Sequence, residues 1–241
     1  MNEPAHRTFL VVDVENSGNL GNTELEFTRS TLYRVLDEAI THPEAVVGRE
    51  DRGDGFLLVL DLSVLDVLDH IVERLLDGVR THNNAVDPLD WLRVRIAAHE
   101  GYVHDDGHGW MSDALTATFR LNDSGVVKAT LRNAARAHGV VVVSDAVYQG
   151  VVRHNYRTAV TSAGYRSAVI DTKEGDVRVW VRVPGYPEPP LPANVAAPAK
   201  ARKNETTLRT GFDSVTANNM IIGDVQAGTV VGRDNIGGGS V

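Results

Sequence analysis

AVVGREDRGDGFLLVL, residues 45–60, is the stretch whose reading decides the fold. Two short apolar runs, 45–48 and 56–60, flank a polar link that carries glycine, the pattern of a β-hairpin with Asp54 at its tip. Upstream, TFLVVDV (8–14) is β-branched and apolar but for one acid, as expected of a buried strand that delivers the Asp13 carboxylate at its end. Between the two, residues 23–41 place Leu25, Leu32, Leu36 and Ala39 at helical spacing, with Pro43 just beyond. Downstream, Leu65, Leu68, Val72, Leu75 and Val79 predict a second amphipathic helix over 63–80, capped by Ser63. WLRVRIAAH, from Trp91, reads as the next strand. Residues 112–138 read as helix in two pieces, and 140–143 as a strand running into a short helix capped at Ser144. Residues 166–170 and 177–183 close the pattern as a hairpin around 173–176. Helices alternating with hairpins predict an α+β sandwich, a mixed sheet with helices packed on it.

The composition of the 241 residues suits a globular chain: 42% hydrophobic and 23% charged. The absence of cysteine excludes disulfides, thiolate zinc sites and cysteine nucleophiles. A formal net charge of -8 argues against a general nucleic-acid partner, because duplex binding rests on clustered Lys and Arg. No stretch approaches the run of about 18 apolar residues that spans a bilayer, and no secretion signal opens the chain. The expectation is a cytoplasmic protein with neither a nucleic-acid nor a membrane partner.

Composition changes at VPGYPEPPLPANVAAPAKARKN, where five prolines fall between Pro184 and Pro192 and a sixth is Pro198. This predicts three segments: a domain over 1–183, a semi-rigid Pro/Ala-rich linker over 184–204, and a Gly-, Val- and Asn-rich tail over 205–241 that is mostly disordered alone. The tail echoes itself, Ile222-Gly-Asp-Val against Val231-Gly-Arg-Asp, as a short strand-and-turn repeat.

Asp13 and Asp54 come from separate strands and could converge on hard cations through oxygen ligands. Acids at strand ends and hairpin tips also serve as caps and turn formers. Their order and context point further. VVDVENSG, REDRGDGFLLVL, RVRIAAHEG and SDALTATFRL together resemble, in order and spacing, the catalytic domain of class III nucleotidyl cyclases, the adenylyl and guanylyl cyclases, across residues 8 to 183. Asp13-Val14 is similar to that family's first metal-binding motif, with Ser17 and Gly18 falling slightly late. Gly53-Asp54-Gly55-Phe56 is similar to its hairpin motif and is the most specific single piece.

The resemblance implies a ferredoxin-like, cyclase-type fold. It also implies a two-metal reaction with Mg2+ or Mn2+ in which a nucleoside triphosphate becomes a 3',5'-cyclic nucleotide plus pyrophosphate. Asp13 and Asp54 would hold the two ions. Arg120 matches the arginine that stabilises charge on the phosphorus in transit, and Thr116 stands where the family has a ribose-positioning Asn. Glu50 and Gly109 occupy the two base-reading positions; Glu50 leans toward guanine, Gly109 offers no side chain, and UTP or CTP stays open. Lys173 matches a phosphate-binding lysine. The family builds its site across a dimer, so a homodimer is implied.

His99, His104 and His108 have neither helical-pair nor zinc-ribbon spacing and read as solvated loop histidines. In the tail, Val225-Gln226-Ala227-Gly228 resembles the bacterial amyloid signalling motifs related to animal motifs with a Val/Ile-Gln-Ile/Val-Gly core. That likeness implies in-register strand addition to a receptor or effector with a similar segment, in bacterial signalling or defence. The alternative expectation is a catalytically degenerate, nucleotide-sensing or scaffold domain that acts as an adaptor through the tail. Thr116 and Gly109 favour it, whereas Asp13, Asp54 and Arg120 favour the enzyme.

Overall fold

The computed structural model describes residues 3–173 and 175–193. The tail motif at Val225, Gln226, Ala227 and Gly228, and the linker beyond residue 193, lie outside the described residues.

The chain forms β1 (Ala5–Val14), α1 (Asn22–Ala39), β2 (Val46–Asp51), β3 (Gly55–Leu60), α2 (Val64–Asp66), α3 (Glu73–Asn83), β4 (Val94–Asp105), β5 (Trp110–Met111), α4 (Asp113–Asp123), α5 (Gly125–Asn133), β6 (Gly139–Ser144), α6 (Asp145–Gly150), β7 (Tyr165–Thr172) and β8 (Gly175–Arg182). A π-helical stretch, Val67–Val72, joins α2 to α3, so the single helix expected over 63–80 is interrupted. Serines set several helix starts. Ser63, Ser112, Ser124 and Ser144 each accept an amide N–H from the first turn of α2, α4, α5 and α6, satisfying a donor that has no partner within the helix.

The sheet runs β2-β3-β1-β4-β6-β8-β7, with β5 paired to the far end of β4. β4 and β6 are parallel and the other pairs antiparallel, so the sheet is mixed, as expected. Because side chains alternate across a strand, β1 feeds two cores. Leu10, Val12 and Val14 pack with Leu32 and Leu36 of α1 and with Leu75 of α3. Phe9 and Val11 pack with Leu115 and Leu121 of α4 and Leu131 of α5. Every residue of β3 is buried, which explains why GFLLVL carries no polar alternation.

Residues 184–193 differ from the expected extended linker. Tyr186 and Leu191 pack against the second core, Asn133 Nδ2 donates to the Pro190 carbonyl at 3.1 Å, and Arg166 pairs with Glu188. The apolar side chains set between the prolines supply the burial that holds this segment to the domain. Among the described residues no helix is long and apolar enough to cross a membrane.

Candidate functional site

The end of β1 is where the sheet becomes polar. Asp13 stands directly opposite Gly55 on β3 and Arg95 on β4. At position 55 a Cβ would stand 2.9 Å from the Asp13 Cα and closer still to the Val12 carbonyl oxygen, so only glycine lets β3 approach here. The preceding turn is fixed by its own polar groups. Gly53, at φ +90°, donates its N–H to Asp51 Oδ1 at 2.7 Å, and Arg52 N–H donates to the Gly55 carbonyl at 2.9 Å. Val14 N–H then donates to the Asp54 carbonyl at 3.0 Å, which holds Asp54 against the end of β1. The Ser17 hydroxyl donates to Asp54 Oδ2.

Asp13 and Asp54 therefore converge, as the sequence suggests. Burial pushes the Asp13 carboxyl above the usual carboxylate range; Arg95 pulls it back and the neighbouring Asp54 charge raises it further. A hard divalent cation fits this donor set. Two carboxylates that repel one another offer only oxygen, and Mg2+ commonly takes one or two carboxylates and completes its shell with water and substrate phosphate. Among the described residues no group of three or more His, Cys, Asp or Glu could hold a metal, so an ion here would draw its remaining ligands from those sources. Arg95, absent from the candidate residues read from sequence, already contacts Asp13 Oδ2. The available signal was a cation within the apolar first half of the strand, Val94–Ala98.

Arg120 and Lys173, the two cations expected at the site, lie elsewhere. Arg120, on α4, and Lys173, in the β7–β8 turn, line one cleft of about 870 Å³ with Asp123, Asp171 and Asp176. Neither Asp13 nor Asp54 lines it. α4 is held against β4 at Gly101, where a Cβ would stand 2.5 Å from that of Ala114. Thr116, one turn before Arg120, is not in the Arg120–Lys173 cleft; it lines a second one of about 590 Å³ with Trp110 and Phe119. Its hydroxyl donates to the Ser112 carbonyl at 3.0 Å within the helix.

The remaining two expected positions lie beside Arg52 and Trp110, neither of which was among the candidate residues read from sequence. Glu50, on β2, lies 3.8 Å from the Arg52 guanidinium, which in turn covers the Phe119 ring at 4.7 Å. Gly109 has open space where a side chain would stand. Its neighbour Trp110 presses on Gly48, where a Cβ would fall 2.8 Å from Cε2 and closer to Nε1. A glycine inside a strand was the available signal, since it often marks close approach by another group.

The histidines correct the expectation of solvated loops. His99 and His104 lie on β4, and only His108 is in the following loop. His99 Nδ1 is 2.8 Å from the Ser144 hydroxyl, and burial pushes its imidazole below the ordinary histidine range.

No family model and no curated protein matches this chain. Among solved structures, an adenylate/guanylate cyclase/hydrolase from Silicibacter pomeroyi is similar, with TM-score 0.54 and 20% identity, covering 76% of this chain and 98% of that one. The catalytic core of a rhodopsin-guanylyl cyclase with converted specificity, solved with ATPalphaS, has TM-score 0.48 and 16% identity over 75% of this chain and 98% of that one. A bacterial light-regulated adenylyl cyclase has TM-score 0.48 and 12% identity over 75% of this chain and 53% of that one. The mixed eight-stranded sheet with helices on it is thus the fold of adenylate/guanylate cyclase catalytic domains.

Proposed function

We propose that this chain is a cytoplasmic nucleotidyl cyclase that converts a nucleoside triphosphate into a 3',5'-cyclic nucleotide and pyrophosphate. The observation that carries this reading is the convergence of Asp13 and Asp54, enforced by the close passage of Gly55, on a sheet of the cyclase fold. Asp13 and Asp54 would hold two Mg2+ or Mn2+ ions, which when bound lower the pKa of the ribose 3'-hydroxyl and screen the triphosphate. The 3'-oxygen forms a bond to the α-phosphorus as the bond to the bridging β-phosphate oxygen breaks. Pyrophosphate leaves and the hydroxyl proton passes to solvent. Arg120 donates to the phosphoryl oxygens as charge builds there, and Lys173 holds the departing phosphates. Glu50, which with Gly109 occupies the base-reading positions that the resemblance implies, accepts from ring N–H groups of the base.

Arg120 and Lys173 line a cleft that Asp13 and Asp54 do not line, which supports a two-fold homodimer. In it the acids of one copy face the Arg120–Lys173 cleft of the other. The tail motif at Val225–Gly228 would then bring the enzyme to a receptor or effector carrying a similar segment, in bacterial signalling or defence. One specific observation favours the adaptor reading instead: the Thr116 hydroxyl donates to its own helix, so the residue in the ribose position has no donor to spare in this arrangement.

Pyrophosphate release by the full-length chain with Mn2+ and ATP, GTP, UTP or CTP in turn, with mass detection of the product, separates the two. A cyclic product that disappears in Asp54→Asn supports the enzyme. Nucleotide binding without turnover from any of the four, also after assembly through the tail, supports the adaptor.

A further inference from the structure

Arg95 is a charged side chain at the border between the apolar middle of the sheet and the polar end of β1. Its neighbours in the same alternation, Ala97 on β4 and Val11 on β1, belong to the second core. The side chain is 9% exposed, and its Nε is buried without a hydrogen-bond partner. Burying a guanidinium is costly unless something compensates. The β1–β4 register supplies the compensation by setting Arg95 directly across from Asp13, whose Oδ2 it contacts. Asp13 also feels the charge of Asp54. The two carboxylates and one guanidinium therefore carry a net charge of about -1, and the repulsion between the acids is partly neutralised before any ion arrives.

We propose that Arg95 is a resident counter-ion of the Asp13–Asp54 pair, and that a divalent cation binds the pair in competition with Arg95 for Asp13. This rests on the reading of Asp13 and Asp54 as metal carboxylates. An incoming ion either takes the Asp13 oxygen that Arg95 leaves open or displaces the guanidinium, and in both cases it meets a fixed positive charge. The ion is then held weakly by the free protein and well only when a triphosphate adds its own negative charge. Arg95 thereby ties metal occupancy to substrate occupancy. It is a positioning residue and touches no reacting atom.

The test is Mn2+ binding to the full-length chain without nucleotide, read by electron paramagnetic resonance. Arg95→Gln should tighten binding by about ten-fold or more, because a charge within a few ångströms of the ion has been removed. Arg95→Lys, which keeps the charge, should stay within about three-fold of wild type. Asp54→Asn should abolish binding in either background. Unchanged or weaker Mn2+ binding in Arg95→Gln, with Asp54→Asn still abolishing it, overturns the counter-ion and leaves the metal site intact. No binding in wild type or any variant, with or without added pyrophosphate, overturns the metal site and the proposal with it. If the Arg95 variants do not fold, the wild-type chain still decides. Saturating Mg2+ should shift the NMR signal of the Arg95 Nε–H, and a signal that does not move contradicts the proposal.

Discussion

Gly55 faces Asp13 across the β1–β3 ladder with no room for a single carbon between them. The first prediction follows from that contact. Gly55→Ala should force β3 away from β1 and cost about 1–3 kcal/mol by overpacking. It should also weaken Mn2+ binding, because the turn that carries Asp54 moves with the strand. Urea unfolding and Mn2+ titration check the two halves separately. A variant as stable as wild type would mean that the strand end is looser than the close passage implies.

Gly48 is filled in a comparable way, by the Trp110 indole. Gly48→Ala should destabilise by about 1–3 kcal/mol, and most of that should return when Trp110 is also reduced to Leu. The coupling in such a double-mutant cycle is the readout. Additive losses would show that the two residues do not press on one another in solution.

Arg93 spans from the polar end of β1 to the end of α5. It pairs with Glu15 at 2.8 Å and donates to the carbonyls of Ala134 and Ala137 at 2.9 Å each. Glu15 is only 6% exposed, so Arg93→Met leaves a buried carboxylate unpaired and should cost about 3–5 kcal/mol. Adding Glu15→Gln should recover part of it. A loss below about 1 kcal/mol in the single variant would place the pair in the class of exposed surface bridges.

Stability should fall in mild acid. Burial holds the imidazoles of His99 and His138 below the ordinary value of 6.5. For such groups the unfolded chain takes up protons first as the pH falls. Their contribution is fully present above about pH 6.5 and is lost as the pH drops through the folded-state values. Urea midpoints should therefore decrease between pH 7.5 and 5.5, and less so in His99→Gln. A midpoint that rises over that interval would reverse the sign and contradict the burial of these rings.

Much of this arrangement is legible in the sequence. The apolar run of TFLVVDV with its single acid, the glycines around Asp54 and the serines at positions 63 and 144 are local signals, and local chemistry placed the corresponding strands and caps. The relationships that tune the site are non-local. Arg95 meets Asp13 only once the β1–β4 register is known, and Trp110 finds Gly48 across separate strands. Lys173 joins Arg120 because the β7–β8 turn reaches α4, a pairing that sequence resemblance could assign by role but not by position. Residues 184–193 misled for a different reason. Prolines dominate their composition, whereas the packing is decided by Tyr186 and Leu191 between them.

The measurement that bears most directly on the central claim, a cyclase site assembled from two copies, is complementation. Asp54→Asn and Arg120→Ala are each assayed alone and then as an equal mixture, with mass detection of cyclic product from the preferred triphosphate. The account predicts an active wild type, two inactive variants, and about a quarter of wild-type activity in the mixture, since half of the dimers regain one of their two sites. An active wild type whose mixed variants stay silent, or a variant that is active alone, would contradict it.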